Sequence, residues 1–198
     1  MEQKRDVAIV LRQRSNLLSV LSIGHGRTEK LFYDTKKYTT RLVGSVVSYH
    51  VYEVRHDYHR VDKLEIERHP SIYKPEALYL LHALLEVCYH YIPLGTPVHD
   101  ICTYVVDVLS LLNNFAVSVD QKKAVCLLFA LLGLYPDKEF LAEEYHELLY
   151  LPVDKLKDNA LELANEELLN QWLAWCLSAY PQGKWCKALP LLLKSTKQ

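Results

Sequence analysis

A group of cations and aromatic side chains in the first 45 residues has the composition of a nucleic-acid contact. Phe32, Tyr33 and Tyr38 are interleaved with cations. Cationic side chains neutralise phosphates and release counterions, while aromatic faces stack on unpaired bases. The pattern predicts a surface for single-stranded nucleic acid; the alternative is a solvated strand edge that lysines protect from pairing. The cations are Arg12, Arg14, Arg27, Lys30, Lys36, Lys37 and Arg41.

The net charge of the whole chain hides this local excess of positive charge. The formal net charge is -1 over 198 residues, yet residues 1–45 carry nine basic and four acidic side chains. Residues 71–198 carry ten basic and fifteen acidic side chains. Such asymmetry is informative about partners, and it predicts that the acidic half would repel a long DNA path at low salt.

A second pair of cations, Lys122 and Lys123, comes directly before an apolar stretch. Cations at a helix N-terminus oppose the helix dipole, so their presence there calls for a reason. One interpretation is a pair of exposed charges in the first helical turn. The other is a site that receives the carboxylates of an acidic partner peptide beside the apolar bundle.

Motifs of covalent catalysis are missing from the sequence, so we predict neither an enzyme nor a cofactor. His56 and His59 could ligate a metal, although a polar hairpin loop explains them equally well. The segment Gly24-His25-Gly26 lacks the third glycine of a dinucleotide-binding loop. The cysteines have no C-x-x-C spacing, which favours buried reduced thiols over a zinc site. They are Cys88, Cys102, Cys126, Cys176 and Cys186.

The first 70 residues read as β-strands that would have to position the basic group. Apolar and polar residues alternate with a period of two, for example at Val47, Tyr49 and Val51. Short strands at this density favour a small closed barrel, of either the OB or the SH3-like kind. The predicted strands are Val7–Leu11, Leu17–Ile23, Glu29–Tyr33, Ser45–Val54 and Val61–Glu67.

Beyond Pro70 the apolar period changes to that of helices. Pro75 suits a first helical turn, and Thr96 is a plausible N-cap before Pro97. The spacing of Ser118 and Gln121 predicts a capping box, followed by a helix over 122–132 that is apolar nearly all round and hence buried in a bundle. A last helix is predicted over 185–193.

The predicted architecture is therefore α+β, with a barrel domain over residues 1–70 and an α-helical domain over residues 71–198. The longest apolar run spans nine residues, whereas a membrane helix needs roughly 18. The first residues also lack the apolar core of a signal peptide. We expect a cytoplasmic protein.

The order of these features resembles the RecO family of DNA repair and recombination mediators. Each motif is degenerate, and the resemblance lies in their order over most of the chain. The barrel motifs are Val7–Leu11, Gly26-Arg27, Lys36-Lys37 and Arg41-Leu42-x-Gly44; the helical motifs are Tyr79–Glu86, Lys122-Lys123, Leu131–Tyr135 and Tyr180–Lys187.

The resemblance implies an N-terminal OB fold, no covalent chemistry, and binding of single- and double-stranded DNA. It further implies strand annealing, action with RecR, and loading of RecA onto DNA coated by single-strand DNA-binding protein (SSB), in a bacterial cytoplasm at the nucleoid. Carried over, Arg27, Lys36 and Arg41 would contact DNA. Lys122 and Lys123 would receive the acidic C-terminal tail of SSB.

The chain departs from the family pattern in two places that matter for function. Residues 136–158 contain no cysteine where many members carry a four-cysteine zinc module, so we predict no zinc. Tyr33 and Asp34 replace the usual basic residue and glycine before the lysine cluster, and the acid weakens the phosphate-binding surface. The alternative function is therefore a protein-interaction adaptor that keeps the fold but has lost most DNA binding.

Overall fold

A computed structural model describes residues 4–15, 17–32, 42–55, 58–115, 118–134, 136 and 166–194. Their contacts divide the chain into two compact units. The first contains residues 1–70 and 92–106, and the second contains residues 71–91 and 107–198. The sequence analysis assigned all of 71–198 to a helical domain, whereas the structure groups 92–106 with the strands.

The first unit is built on five strands in a curled sheet, and the α+β prediction is confirmed. The strands are β1 (Lys4–Arg14), β2 (Leu17–Ser22), β3 (Gly26–Phe32), β4 (Val46–Arg55) and β5 (Tyr58–Arg68). Their order is β1-β2-β3-β5-β4, and β4 pairs back with β1, which closes the sheet into a barrel. All neighbours are antiparallel except β3 and β5, which pair in parallel.

The alternation of apolar residues along the strands produces the interior of the barrel, because successive side chains point to opposite faces. In β4, Val47 and Tyr49 are fully buried. A β-bulge between Val10 and Arg12 shifts the register of β1 against β2. The buried cluster consists of Ala8, Val10, Leu18, Val20, Leu42, Val47, Tyr49, Val61 and Leu64.

The segment 92–106 covers part of the outer face of this barrel. The Cys102 thiol lies 3.9 Å from the Leu21 carbonyl oxygen, and Leu94 forms an isolated parallel bridge with Arg27. Leu21 points to the outer face, away from the interior residues Leu18 and Val20, and is nevertheless fully buried. Burial in this solvent-poor contact raises the pKa of the Cys102 thiol to about 11.

The helices are α1 (Pro75–Tyr91), α2 (His99–Ser110), α3 (Ser118–Leu131), α4 (Glu166–Ala179) and α5 (Leu189–Lys194), with 3-10 turns at Leu112–Asn114 and Pro181–Trp185. In the second unit, α3 contacts α1, α4 and α5. Residues 121–129 of α3 are all buried, which confirms the prediction of a buried helix. In the described part of the chain, every helix is too short or too polar to cross a bilayer.

Two helix ends differ from the sequence prediction because side chains use the backbone groups in another way. The last helix begins at Leu189, since the Glu86 carboxylate accepts hydrogen bonds from the Lys187 and Ala188 amides at 2.8 and 2.7 Å. The side-chain amide nitrogen of Gln121, predicted to take part in a capping box, donates to the Phe115 carbonyl at 2.8 Å.

Candidate nucleic-acid interface

The register of β3 against β2 decides which of the predicted contact residues share a surface. Lys30 lies opposite Leu18, and Thr28 lies opposite Val20. Directly paired residues face the same side of a sheet, and Leu18 and Val20 belong to the interior cluster. Thr28 and Lys30 therefore face the inside of the barrel. Arg27 and Glu29, at the alternate positions, face outward.

Lys30 is fully buried in this interior. Its Nζ has no hydrogen-bond partner among the described residues. Burial lowers the pKa of the Lys30 ammonium below its ordinary value near 10.5, and the Asp6 carboxylate opposes part of that effect. This location corrects the assignment of Lys30 to a DNA-contacting surface, because an enclosed ammonium group cannot reach a phosphate.

Two other polar groups, the Asp6 carboxylate and the Tyr49 hydroxyl, lie on the adjacent strands β1 and β4. The Tyr49 hydroxyl donates to Asp6 Oδ2 at 3.1 Å, across the register position where the two residues pair. Burial and the nearby carboxylate both raise the pKa of Tyr49 well above its ordinary value of 10.0. One end of the barrel interior thus holds an acid, a phenol and an amine, and none of the three can serve as an exposed nucleic-acid contact.

The outer face of β1, β2 and β3 carries the remaining described cations. Arg14 is exposed, and Arg12 and Arg27 are half-buried. Arg12 pairs with Ser19, which in turn pairs with Glu29, so the three side chains form one row across the sheet.

Glu29 adds a negative charge to this row that the sequence-based prediction of the contact did not include. The Ser19 hydroxyl lies 2.7 and 2.8 Å from the two Glu29 carboxylate oxygens and donates its hydrogen to them. The carboxylate is thereby held on the outward face, in one row with Arg12 and two residues from Arg27 along β3. Its charge reduces the local attraction for phosphate, since like charges repel. The signal was present in the sequence, because Glu29 and Arg27 are two residues apart.

The start of β3 is fixed by a close backbone approach at Gly26. Gly26 has a φ of +63°, and a Cβ placed there would lie 1.6 Å from the Thr96 carbonyl oxygen. The Gly95 amide donates to the Arg27 carbonyl at 2.9 Å. Gly26 is therefore required for the segment 92–106 to pack on the barrel, and this contact sets the position of Arg27 on the outer face.

The other basic residues predicted for this surface, Lys36, Lys37 and Arg41, lie outside the described residues, as do the departures at Tyr33 and Asp34. The chain returns at Leu42, whose amide donates to Gln13 Oε1 at 2.9 Å. The amide of Gly44 then donates to the Val10 carbonyl at 2.8 Å. These bonds bring the chain back to β1, the strand that carries Arg12 and Arg14.

On another part of the barrel, two acids of β5 form ion pairs with Arg5 of β1. Arg5 Nη2 lies 2.6 Å from Glu67 Oε1 and 3.5 Å from Glu65 Oε2. Hydrogen bonds from Ser48 and Arg5 lower the pKa of Glu67. This acidic strip makes the β1–β4–β5 face a poorer place for DNA than the β1–β2–β3 face.

Lys122 and Lys123 are not the exposed charges that the sequence suggested. Their exposed fractions are 0% and 3%. Lys122 Nζ lies 2.8 Å from Glu166 Oε1, and Lys123 Nζ lies 4.0 Å from Asp120 Oδ1. This corrects their assignment to an SSB-tail site: both ammonium groups are enclosed in the helical unit and face carboxylates of the chain itself. Glu166 is 44 residues from Lys122 and so had no local signal.

The alternative metal site cannot be placed, because His56, Asp57 and the side chain of His59 lie outside the described residues. Within the described part of the chain, no cluster of three potential ligands from histidine, cysteine and acidic side chains occurs. The five cysteines are all buried with free thiols.

Comparison with known proteins adds no family assignment. No protein-family model matches the sequence, and no curated protein matches it.

Proposed function

We propose that the chain is a RecO-like recombination mediator of DNA repair, whose barrel is an OB fold that binds single- and double-stranded DNA. The observation that carries the proposal is the strand order β1-β2-β3-β5-β4 with its one parallel pair, β3 and β5. A five-stranded barrel of this kind is a common scaffold for nucleic-acid binding. The order of sequence motifs along the chain supports the same family.

The DNA contact that we propose is the outer face of β1, β2 and β3. Arg14 is exposed there, and Arg12 and Arg27 are half-buried on the same face. Lys36, Lys37 and Arg41 follow β3 in the sequence and extend the same basic segment. The mechanism is non-covalent: cations neutralise phosphates, which screens the repulsion between two complementary strands and so promotes annealing.

The family implies two protein partners, RecR and the acidic tail of SSB. It also implies loading of RecA onto SSB-coated DNA. With Lys122 and Lys123 enclosed, contact with that tail has to use other groups of the helical unit. The proposal needs no cofactor and no metal, and it places the protein in the cytoplasm.

A salt series tests the DNA proposal. Fluorescence anisotropy with a labelled single-stranded oligonucleotide should show binding that weakens as salt increases, because phosphate neutralisation releases counterions. A parallel assay should show faster annealing of complementary strands. Absence of binding at low salt, or binding that is independent of salt, refutes the proposal.

The second candidate is the protein-interaction adaptor with the same fold. The positions of Lys30 and Glu29 favour it, because one predicted cation is enclosed and one carboxylate lies on the same outer face as the arginines. The adaptor would bind RecR but not DNA in the same salt series, so pull-down of purified RecR together with the anisotropy titration separates the two functions.

A further inference from the structure

Trp185 is an exposed tryptophan on the 3-10 turn of the helical unit. It is 61% exposed, whereas Trp172 in α4 is 3% exposed. Trp175, also in α4, is half-buried and meets Tyr180 edge-on with ring centroids 5.5 Å apart. Tryptophan is enriched at binding interfaces, where its apolar ring and its polar N–H group both find partners.

The turn that carries Trp185 is held from both sides. Gly183 packs against α4 so closely that a Cβ would lie 2.1 Å from the Leu177 carbonyl oxygen. The Cys186 amide donates to the Gly183 carbonyl at 3.1 Å. Just beyond it, the Glu86 carboxylate accepts the hydrogen bonds from Lys187 and Ala188. The exposure of Trp185 is therefore a property of the packed turn, and the ring is presented in a fixed place.

The chain next to this ring is basic although the helical unit as a whole is acidic. Lys184 Nζ lies over the Trp185 ring, 5.2 Å from its centroid, and Lys187 is exposed two residues further on. Residues 168–198 contain four lysines and no acidic residue, whereas residues 71–167 contain six basic and fifteen acidic ones. The Glu86 carboxylate contacts this segment, where it accepts hydrogen bonds from two backbone amides.

We propose that Trp185, with Lys184 and Lys187, binds single-stranded nucleic acid. The indole ring stacks on an unpaired base, and the two ammonium groups neutralise the flanking phosphates. Every base has a π face that can stack on the exposed part of the ring, while the Lys184 ammonium over the ring and the Lys187 ammonium supply charge for phosphates, which favours nucleic acid over a peptide. The site lies on the helical unit and does not depend on DNA binding by the barrel.

The test compares Trp185→Ala with Tyr73→Ala in the full chain. Tyr73 is a matched control, because it is 84% exposed, belongs to the same unit and precedes a lysine. Binding of labelled oligothymidylate is measured by anisotropy, with circular dichroism as the check on folding. We expect Trp185→Ala to weaken binding about tenfold, since stacking of one base on an aromatic side chain has this size. Tyr73→Ala should bind as the wild type does.

Two further variants report on the stacking and on the charges separately. Trp185→Phe keeps an aromatic face and should retain more affinity than Trp185→Ala. The double change Lys184→Gln and Lys187→Gln should reduce the magnitude of the salt slope by about 1.4, for two phosphate contacts on a single strand.

Specific results overturn this inference. Unchanged affinity of a folded Trp185→Ala variant refutes it while leaving the proposal for the barrel intact. An equal loss in Tyr73→Ala refutes the assignment to this turn. A peptide site is shown instead if an acidic peptide quenches tryptophan fluorescence in the wild type but not in Trp185→Phe, and if the oligonucleotide causes no quenching under the same conditions.

Discussion

Replacing Lys30 by methionine should stabilise the protein, although lysine is the natural residue. Met has a similar length and no charge, so it fills the same space inside the barrel without an amine. A buried donor without a hydrogen-bond partner costs about 1–3 kcal/mol, and the lowered pKa of Lys30 reflects the same penalty on its charged form. We expect the free energy of unfolding at pH 7 to rise by about 2 kcal/mol. For a chain of this size, that is an increase in Tm of about 4–8 °C.

The advantage of Lys30→Met should shrink as the pH rises. The folded pKa of Lys30 is lower than its unfolded value near 10.5, so the unfolded state binds more protons between these two values. Stability of the wild type therefore increases with pH through this window, by up to about 1.4 kcal/mol per pH unit. Tyrosines and thiols with raised pKa values are present in both proteins, and their effects cancel in the difference.

The measurement is urea unfolding followed by circular dichroism, from pH 7 to pH 10. Lys74→Met is the control, because Lys74 is exposed and its replacement should change stability by less than about 0.5 kcal/mol. A Lys30→Met variant that is less stable than the wild type by about 1 kcal/mol or more would refute the reasoning. It would mean that the Lys30 ammonium makes a favourable contact in the barrel.

Three further predictions test the packing within each of the two units. Glu166→Gln should destabilise the protein by about 2 kcal/mol in urea unfolding, because it leaves the buried Lys122 ammonium without its carboxylate, while Glu167→Gln at the exposed neighbouring position should have little effect. Gly26→Ala should cost about 3 kcal/mol because its Cβ would collide with the Thr96 carbonyl, whereas Gly24→Ala meets no atom within 4 Å and should be nearly neutral; equal losses would contradict the account. The buried thiols should react with a disulfide reagent at pH 8 far more slowly in the native protein than in urea, and rapid native labelling would show that they are accessible. Burial raises the pKa of Cys102 to about 11, and of Cys176 and Cys186 to about 12.

The strands and the buried helix were predictable because they depend on local periodicity. The separation of Arg27 from Lys30 was also open to prediction, since residues three apart on a strand face opposite sides. What the sequence did not contain was which of these two faces would be covered. That depends on pairing with β2, where Leu18 and Val20 define the interior.

The features that the sequence missed are contacts between distant residues. The pair Lys122 and Glu166 is 44 residues apart, and Gly26 meets a carbonyl 70 residues further along the chain. No local pattern announces either contact. The same holds for the last helix, which the sequence predicts to begin at Trp185. The Glu86 carboxylate of α1 accepts hydrogen bonds from the Lys187 and Ala188 amides, and the helix begins after them.

The most direct test of the proposed function is the salt dependence of single-stranded DNA binding in a barrel variant. We would replace Arg12, Arg14 and Arg27 together by glutamine and plot the logarithm of the binding constant against that of the salt concentration. Loss of three phosphate contacts should reduce the magnitude of the slope by about 2. Lys30→Met, whose side chain is enclosed, should keep the wild-type slope. A folded triple variant with an unchanged slope would contradict a DNA-binding barrel face, as would a wild-type protein that does not bind at low salt.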